Sequence, residues 1–506
     1  MKKKIILHPF IFSIYPILFL LSHNVALITR ASYFEIISLI IIAQIITYII
    51  LIFLKLILKN VEKASILTTF LLLIFYSFGH IKGIQIEEIL NDKQKYLIPF
   101  ITITFIIAVF IIIKFKKDNV HLNGVLNFIA LTLLVIPFFN IIIYIINPVN
   151  VLVNENKNLE IIKTTEDERK IKRDIYYIIL DGYTSSDSLK RYLNFDNSEF
   201  DNFLMKKNFY IANKSRSNYS HTNLSIPSSL NMEYFNFLNS DKYNYKQISE
   251  LTSQMARDNK VKNYLQSLGY KYIMIPSRHS LNWMPEENLD FNWLNTSHNL
   301  FYGDFSDLFY KKTVLKLIRN FRKDAYHQFR RREILSQLTF LEKDVHKITG
   351  PKFVFAHILS PHPPYVFDSS GKPAKTISND WNWKYPDEYL NQIVFLNRKI
   401  RNVINKILTE SKIPPIIIIQ GDHGPPLFEA TENERNIKLK TTILNVYFLP
   451  KINNDLLYNS ITPVNTFRII FNHYFNANYE LLKDDVYFFV EGSVSRSKLV
   501  TSENYE

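Results

Sequence analysis

Apolar positions follow two different patterns along the chain. Up to about residue 147, Ile, Leu and Phe run almost unbroken through five stretches, about 5–22, 34–58, 65–81, 97–115 and 124–147. Each is near the roughly 20 residues a helix needs to cross a bilayer. The third is diluted at its end by Ser77, Gly79 and His80. The first follows Met1-Lys2-Lys3-Lys4, as a signal peptide would. No small-residue cleavage site comes after it, and four more apolar stretches do, so a retained anchor is expected. Beyond residue 173 the runs shorten. Ile175–Leu180, Tyr270–Ile275, Phe353–Ala356, Ile416–Ile419 and Val446–Leu449 read as buried strands. Periodic stretches at about 197–208, 258–268, 327–348 and 387–410 read as helices. Strands alternating with helices predict an α/β domain with a mostly parallel central sheet.

Between the two patterns, residues 148–173 are polar, with a charged run from Thr164 to Lys170. This predicts a solvated linker or surface helix. The expected organisation is a bundle of about five transmembrane helices over 1–147 and a linker over 148–173. A catalytic domain over 174–480 and a tail over 481–506 follow.

Charge adds an orientation. Lys2, Lys3, Lys4, Lys55, Lys59, Lys63, Lys114, Lys116 and Lys117 flank the spans on one side; Arg30, Lys82, Lys93 and Lys95 flank the other. The richer side faces the cytoplasm. Five crossings then put the second half outside it, in a multi-pass protein of an inner or plasma membrane. The spans hold almost no ionisable residues, which favours an anchor over a transporter. The net charge is +14, and many of the lysines flank apolar stretches, as those of membrane proteins do. No basic stripe with interleaved aromatics or zinc-finger spacing points to nucleic acid, and no nucleic-acid partner is expected. The chain has no cysteine, which excludes disulfides, thiolate metal sites and a cysteine nucleophile.

In a parallel sheet, ligands bind beyond the carboxyl ends of the strands, and three strand ends carry chemistry. Ile416-Ile417-Ile418-Ile419 runs into Gln420-Gly421-Asp422-His423-Gly424. A carboxylate and an imidazole side by side can reach one metal ion if the flanking glycines let the backbone turn sharply. Tyr177-Ile178-Ile179-Leu180 runs into Asp181-Gly182, a weaker signal because an Asp-Gly turn is common. Phe353-Val354-Phe355-Ala356 is followed by His357 and His362 on a proline-rich loop, suited to an anionic substrate or a second metal. A nucleophile is sought in Ser220-His221-Thr222-Asn223-Leu224-Ser225-Ile226-Pro227. Pro227 suits the first turn of a helix, with Ser225 or Ile226 near the cap. Hydroxyls just before such a helix face its positive end, and Ser220, Thr222 and Ser225 stay equivalent on these grounds.

Together these segments resemble the sulfatase and alkaline phosphatase superfamily. Within it they resemble the membrane-bound sulfatase-like transferases, including phosphoethanolamine transferases and lipoteichoic acid synthases. Asp422-His423-Gly424 is similar to the superfamily's metal-binding Asp-His-Gly. His357 and His362 resemble the transferases' histidine pair, and Thr222-x-x-Ser225-x-Pro227 their nucleophile segment. Asn465-Thr466-Phe467-Arg468-Ile469 looks like a common late segment of such chains. The resemblance implies a divalent ion, Zn²⁺ or Mn²⁺, held by Asp181, Thr222, Asp422 and His423. It makes Thr222 the nucleophile, through a phospho-threonine intermediate, with His357 and His362 as catalytic partners. Two departures matter. The transferases usually have Glu where Asp181 stands, and the sulfatases' formylglycine motif is missing.

The expected activity is transfer of a phosphoryl-linked head group, of phosphoethanolamine or phosphoglycerol type, from a lipid donor to a glycan or lipid acceptor of the cell envelope. The same site would also suit a phosphodiesterase, a phosphatase or a sulfuric-ester hydrolase. A non-catalytic envelope protein retaining the fold is the alternative of another class.

Overall fold

The computed structural model describes residues 5–24, 30–77, 103, 110, 114, 119–146, 172–235, 245–277, 309–310, 312–315, 323–375, 383–427, 434–452, 456–489 and 497–499. The chain divides into two compact units, one of residues 1–153 with 298–323, the other of 154–297 with 324–506.

In the second unit the short apolar runs become strands. These are β1 (Ile175–Leu180), β2 (Tyr210–Ile211), β3 (Lys271–Ile275), β4 (Lys352–Ile358), β5 (Ile416–Gln420) and β6 (Asn445–Phe448). They form one sheet in the order β2-β6-β5-β1-β4-β3. β1 is parallel to β4 and β5, and β3 is parallel to β4, whereas β6 runs antiparallel to β5 and β2. The sheet is therefore mixed but mostly parallel. Every residue of β1, β4 and β5 is buried, which is why these strands read as unbroken apolar runs rather than alternating ones.

Side chains of β1 alternate between two cores. Tyr176, Ile178 and Leu180 pack in one, with Leu338 of helix Lys323–Lys343 and Leu396 and Ile400 of helix Pro386–Glu410. Ile175, Tyr177 and Ile179 face the other, with Ile226 of helix Thr222–Asn231 and Phe467 of helix Pro463–Phe475. The register sets Ile179 opposite both His357 and Gln420. Residues just past β1 and β5 and near the end of β4 thus share one edge of the sheet.

One local reading is corrected. Pro227 does not open its helix: the helix starts at Thr222, and Pro227 lies inside it. The His221 carbonyl accepts the Leu224 and Ser225 N–H groups at 3.0 and 2.9 Å, which starts the helical turn earlier. The Asn465–Ile469 segment lies in helix Pro463–Phe475 and packs the second core. There Thr466 Oγ1 meets Tyr447 Oη at 2.9 Å and Arg468 Nη2 donates to the Met232 carbonyl at 2.6 Å.

The first unit contains apolar helices His8–Asn24, Arg30–Leu58, Val61–Ser77 and Asn119–Ile146. Two segments in them, Glu35–Leu58 and Val120–Ile143, are long and apolar enough to cross a membrane. Most of the stretch expected at 97–115 and most of the linker lie outside the described residues.

A buried phenol ties the sheet to the second core. Tyr177 Oη donates to Gln420 Oε1 at 2.7 Å and lies 2.8 Å from Ser229 Oγ. Tyr177→Phe leaves a buried amide oxygen short of a donor, a loss of about 1–3 kcal/mol. The expected readout is a lower urea midpoint for the second unit's unfolding, with the slope unchanged.

Candidate metal centre

Asp181 is the first residue after β1, and its N–H donates to the Ile358 carbonyl of β4 at 3.0 Å. Gly182 follows with φ +79°, and a Cβ there would come within 2.4 Å of the Trp383 ring. Two residues past β5, Asp422 is held from both sides. The Gly182 N–H donates to its Oδ1 at 3.0 Å, and Ser225 Oγ donates to its carbonyl at 2.7 Å. The glycines around it serve a purpose the sequence reading did not assign. Neither has a left-handed φ. They are needed for room, because a Cβ at Gly421 would lie 2.2 Å from the Tyr183 carbonyl oxygen and one at Gly424 would lie 1.9 Å from that of Leu439.

This framework brings Asp181, Asp422 and His423 together, with one ligand-type atom from each within 4.8 Å of the others. His423 Nε2 is 3.8 Å from Asp181 Oδ1 and 3.6 Å from Asp422 Oδ2. These two carboxylate oxygens are buried and have no hydrogen-bond partner. His423 Nδ1–H donates to the Gly424 carbonyl at 2.9 Å, which turns the Nε2 lone pair towards the carboxylates. Thr222 Oγ1 stands 3.2 Å from that same Nε2. Two unpartnered carboxylate oxygens, an imidazole lone pair and a hydroxyl form a donor set without a cation. The set fits a divalent ion that accepts oxygen and nitrogen, as Zn²⁺ and Mn²⁺ do.

The electrostatics point the same way. Burial, then the charge of Asp422, pushes the Asp181 carboxyl well above the usual carboxylate range. Burial also acts against Asp422, but the imidazoles of His423 and His357, the Thr222 hydroxyl and the Gly182 N–H outweigh it and hold that carboxyl low. The two carboxyls are thus pushed in opposite directions, Asp181 up and Asp422 down.

The two histidines after β4 occupy different settings. His357 is fully buried; Nε2 lies 3.1 Å from Asp181 Oδ2 and Nδ1 lies 2.9 Å from Ser277 Oγ. Burial pushes its pKa down to about 4, so the ring is neutral at pH 7. It donates to the carboxylate and accepts from the serine. His362 is half-buried. Its N–H donates to the Asp181 carbonyl at 3.0 Å and its Nδ1–H to the Pro363 carbonyl at 2.7 Å. Its ring centre is 6.5 Å from that of His423 and 4.7 Å from that of Trp383.

The three equivalent hydroxyls also separate. Ser225 is committed to the Asp422 carbonyl, and Ser220 Oγ lies 3.3 Å from His221 Nδ1. Thr222 Oγ1 lies against His423 Nε2, at 3.2 Å. Ser277 and Trp383 were missed by the sequence reading. Ser277 lies two residues past β3, at a strand end with no acid or imidazole to draw notice, whereas Trp383 sits at no strand end and its approach to the site depends on tertiary folding.

A family model described as Sulfatase matches residues 175–455, more than half of the chain. No curated protein matches it. Several solved structures are similar at low identity. The C-terminal periplasmic domain of phosphoethanolamine transferase EptC from Campylobacter jejuni is 11% identical, with TM-score 0.36, over 62% of this chain and 92% of that one. The corresponding domain of EcEptC from Escherichia coli is 12% identical, with TM-score 0.39, over 67% and 95%. The integral membrane lipooligosaccharide phosphoethanolamine transferase A from Neisseria meningitidis is 13% identical, with TM-score 0.39, over 91% and 94%.

The uncompensated carboxylates predict an inverse effect on the metal-free protein. A carboxyl with a raised folded pKa contributes stability below its unfolded value, near 3.8, that is lost as pH rises through the folded value. Asp181→Asn removes that loss and lets an amide donate to Asp422. In chelator at pH 7 the variant is expected to be more stable than wild type by about 1–3 kcal/mol. Its melting temperature should also gain less on adding Zn²⁺ or Mn²⁺. A lower melting temperature in chelator would count against an unpaired carboxylate cluster.

Proposed function

The chain belongs to the sulfatase family, and from this we propose that it is a membrane-anchored, metal-dependent sulfatase-like enzyme of phosphoryl transfer. It moves a phosphoryl-linked head group, of phosphoethanolamine or phosphoglycerol type, from a lipid donor to a glycan or lipid acceptor of the cell envelope. The observation that carries the reading is Thr222 Oγ1, 3.2 Å from His423 Nε2 and beside two unpartnered carboxylate oxygens.

In this reading Asp181, Asp422, His423 and Thr222 hold a Zn²⁺ or Mn²⁺ ion. When bound, such an ion supplies positive charge that lowers the pKa of a nearby hydroxyl and polarises a phosphoryl oxygen. Thr222 begins helix Thr222–Asn231, so a phosphoryl group at its side chain meets the positive end of that helix. The Thr222 hydroxyl, its proton released to solvent, forms a bond from its oxygen to phosphorus as the bond to the diacylglycerol oxygen breaks. His362, beside the cluster, gives that leaving oxygen a proton. The acceptor hydroxyl then takes the group, returning its proton to His362, and the same deprotonated Thr222 oxygen leaves in this second step. His357 acts through Asp181 rather than on substrate, keeping one carboxylate oxygen occupied so that the other faces the metal.

Phosphate is preferred to sulfate because the chain has no cysteine, and no Arg follows Ser225-Ile226-Pro227 to complete a formylglycine motif. The five-span reading places the site outside the cytoplasm, on the side where a lipid donor and an envelope acceptor meet. Water in place of the acceptor turns the same chemistry into hydrolysis.

The purified full-length protein with Mn²⁺ or Zn²⁺ and a phosphatidylethanolamine or phosphatidylglycerol donor tests this. Thr222→Ala is expected to lose at least about a thousand-fold in turnover. Wild type should yield a Thr222 peptide carrying the phosphoryl head group in mass spectrometry. Unchanged turnover in the alanine variant would sink the nucleophile assignment, and product analysis separates transfer from hydrolysis. His357→Gln is expected to weaken metal affinity by about 10–100-fold, read by titration with no substrate present. Unaltered affinity would remove its positioning role.

A further inference from the structure

The second unit's sequence is interrupted by residues 298–323, which belong to the first unit. The described part of this insertion is seated on the apolar helices. Phe309 is buried with Leu21 and Ile36, and Phe75, Tyr76 and Ile141 pack partly buried against the same cluster. The Phe309 and Tyr76 rings meet edge-on at 6.0 Å, and the Val314 N–H donates to the Phe75 carbonyl at 3.1 Å.

The helix positions of these partners coincide at one end of the bundle. Leu21 is near the end of helix His8–Asn24 and Ile36 near the start of Arg30–Leu58. Phe75 and Tyr76 are in the last turn of Val61–Ser77, and Ile141 is in the final turns of Asn119–Ile146. This is also the end from which the chain leaves its last described apolar helix towards the second unit.

The chemistry of the segment is that of a bilayer interface. Aromatic rings of Phe309, Tyr310, Phe75 and Tyr76 gather at helix ends, where aromatic belts sit at the headgroup level. Lys312 beside them is exposed, while Thr313 next to it is buried. In sequence, 309–323 carries Lys311, Lys312, Lys316, Arg319, Arg322 and Lys323 and no acidic residue. A basic segment with an apolar side fits a surface of lipid phosphates.

We propose that residues 309–310 and 312–315 belong to a strap lying in the phospholipid headgroup layer, apolar side on the helix ends and Lys312 among lipid phosphates. This rests on the membrane reading above and extends it. The catalytic unit's chain is then returned to the bilayer surface from within its own sequence, in addition to its entry from the last helix. A lipid donor and the enzyme's chain share that layer.

The absence of cysteine makes the test direct. A single fluorophore is placed by Lys312→Cys in full-length protein reconstituted in phosphatidylcholine and phosphatidylglycerol bilayers. Control labels go at Ile45→Cys and Ile136→Cys, exposed positions midway along two of the apolar helices. The expected result is loss of fluorescence at position 312 with a doxyl group near the lipid headgroup, and little loss with one near the chain end or with aqueous iodide. The controls should lose fluorescence to the chain-end quencher. If they do and position 312 responds only to iodide, or equally to the chain-end quencher, the strap is not interfacial and this proposal falls alone. If the controls respond to iodide instead, the membrane reading falls and takes the strap with it.

Discussion

Two carboxylates buried side by side with one imidazole are the constraint on which the catalytic unit is organised. Removing such groups from water is costly, and their mutual repulsion adds to the cost. The surrounding structure is built to keep them there. Asp422 is gripped through its side chain by the Gly182 N–H and through its carbonyl by Ser225. Asp181 is held through its backbone by β4 and the His362 loop, and through Oδ2 by His357. One oxygen of each remains unpartnered. A site this closely held, with two carboxylate oxygens left without a hydrogen-bond partner, suits the cation of the proposed reading.

The sheet makes that arrangement affordable in backbone terms. β1 lies between β4 and β5 in parallel register, so chain segments far apart in sequence end at one edge. Helix Thr222–Asn231 packs on one face through Ile226 and Leu230. The same helix presents Thr222 to His423 and Ser225 to Asp422. Packing and chemistry thus share one element. The glycines of the Asp-His turn belong to this economy too, since neighbouring carbonyls occupy the space where their side chains would be.

Much of the framework was legible along the chain because burial leaves a periodic trace. β1 appears with both ends as read, β3 and β5 differ from their apolar runs by one residue at one end, and β4 and β6 by one or two residues at both ends. The short helix Ser186–Leu193 and the helix Tyr245–Arg257 were not picked out, being polar over most of their length. Helix Thr222–Asn231 was misplaced at its start, because a proline signals the first turn of a helix only when no earlier carbonyl begins it. Trp383 left no trace, for nothing in its neighbours marks it, and Ser277 had only its place two residues past the apolar run Tyr270–Ile275.

What the sequence by itself determined were the residue types at strand ends, the family resemblance and the uneven placing of apolar stretches. Strand ends are local: an apolar run that stops at Asp422 and His423 declares where chemistry can sit. Which groups meet there was decided only by tertiary structure. Thr222, Ser220 and Ser225 are equivalent along the chain, and one turn of helix and a packed sheet give them different partners. His357 and His362 look like a pair in sequence. In the fold one supports a carboxylate from within the core and the other stands half-exposed beside the cluster. The reason is that hydrogen-bond partners are set by positions in space, and the chain brings His357, Asp181 and Ser277 together only when the sheet closes its order.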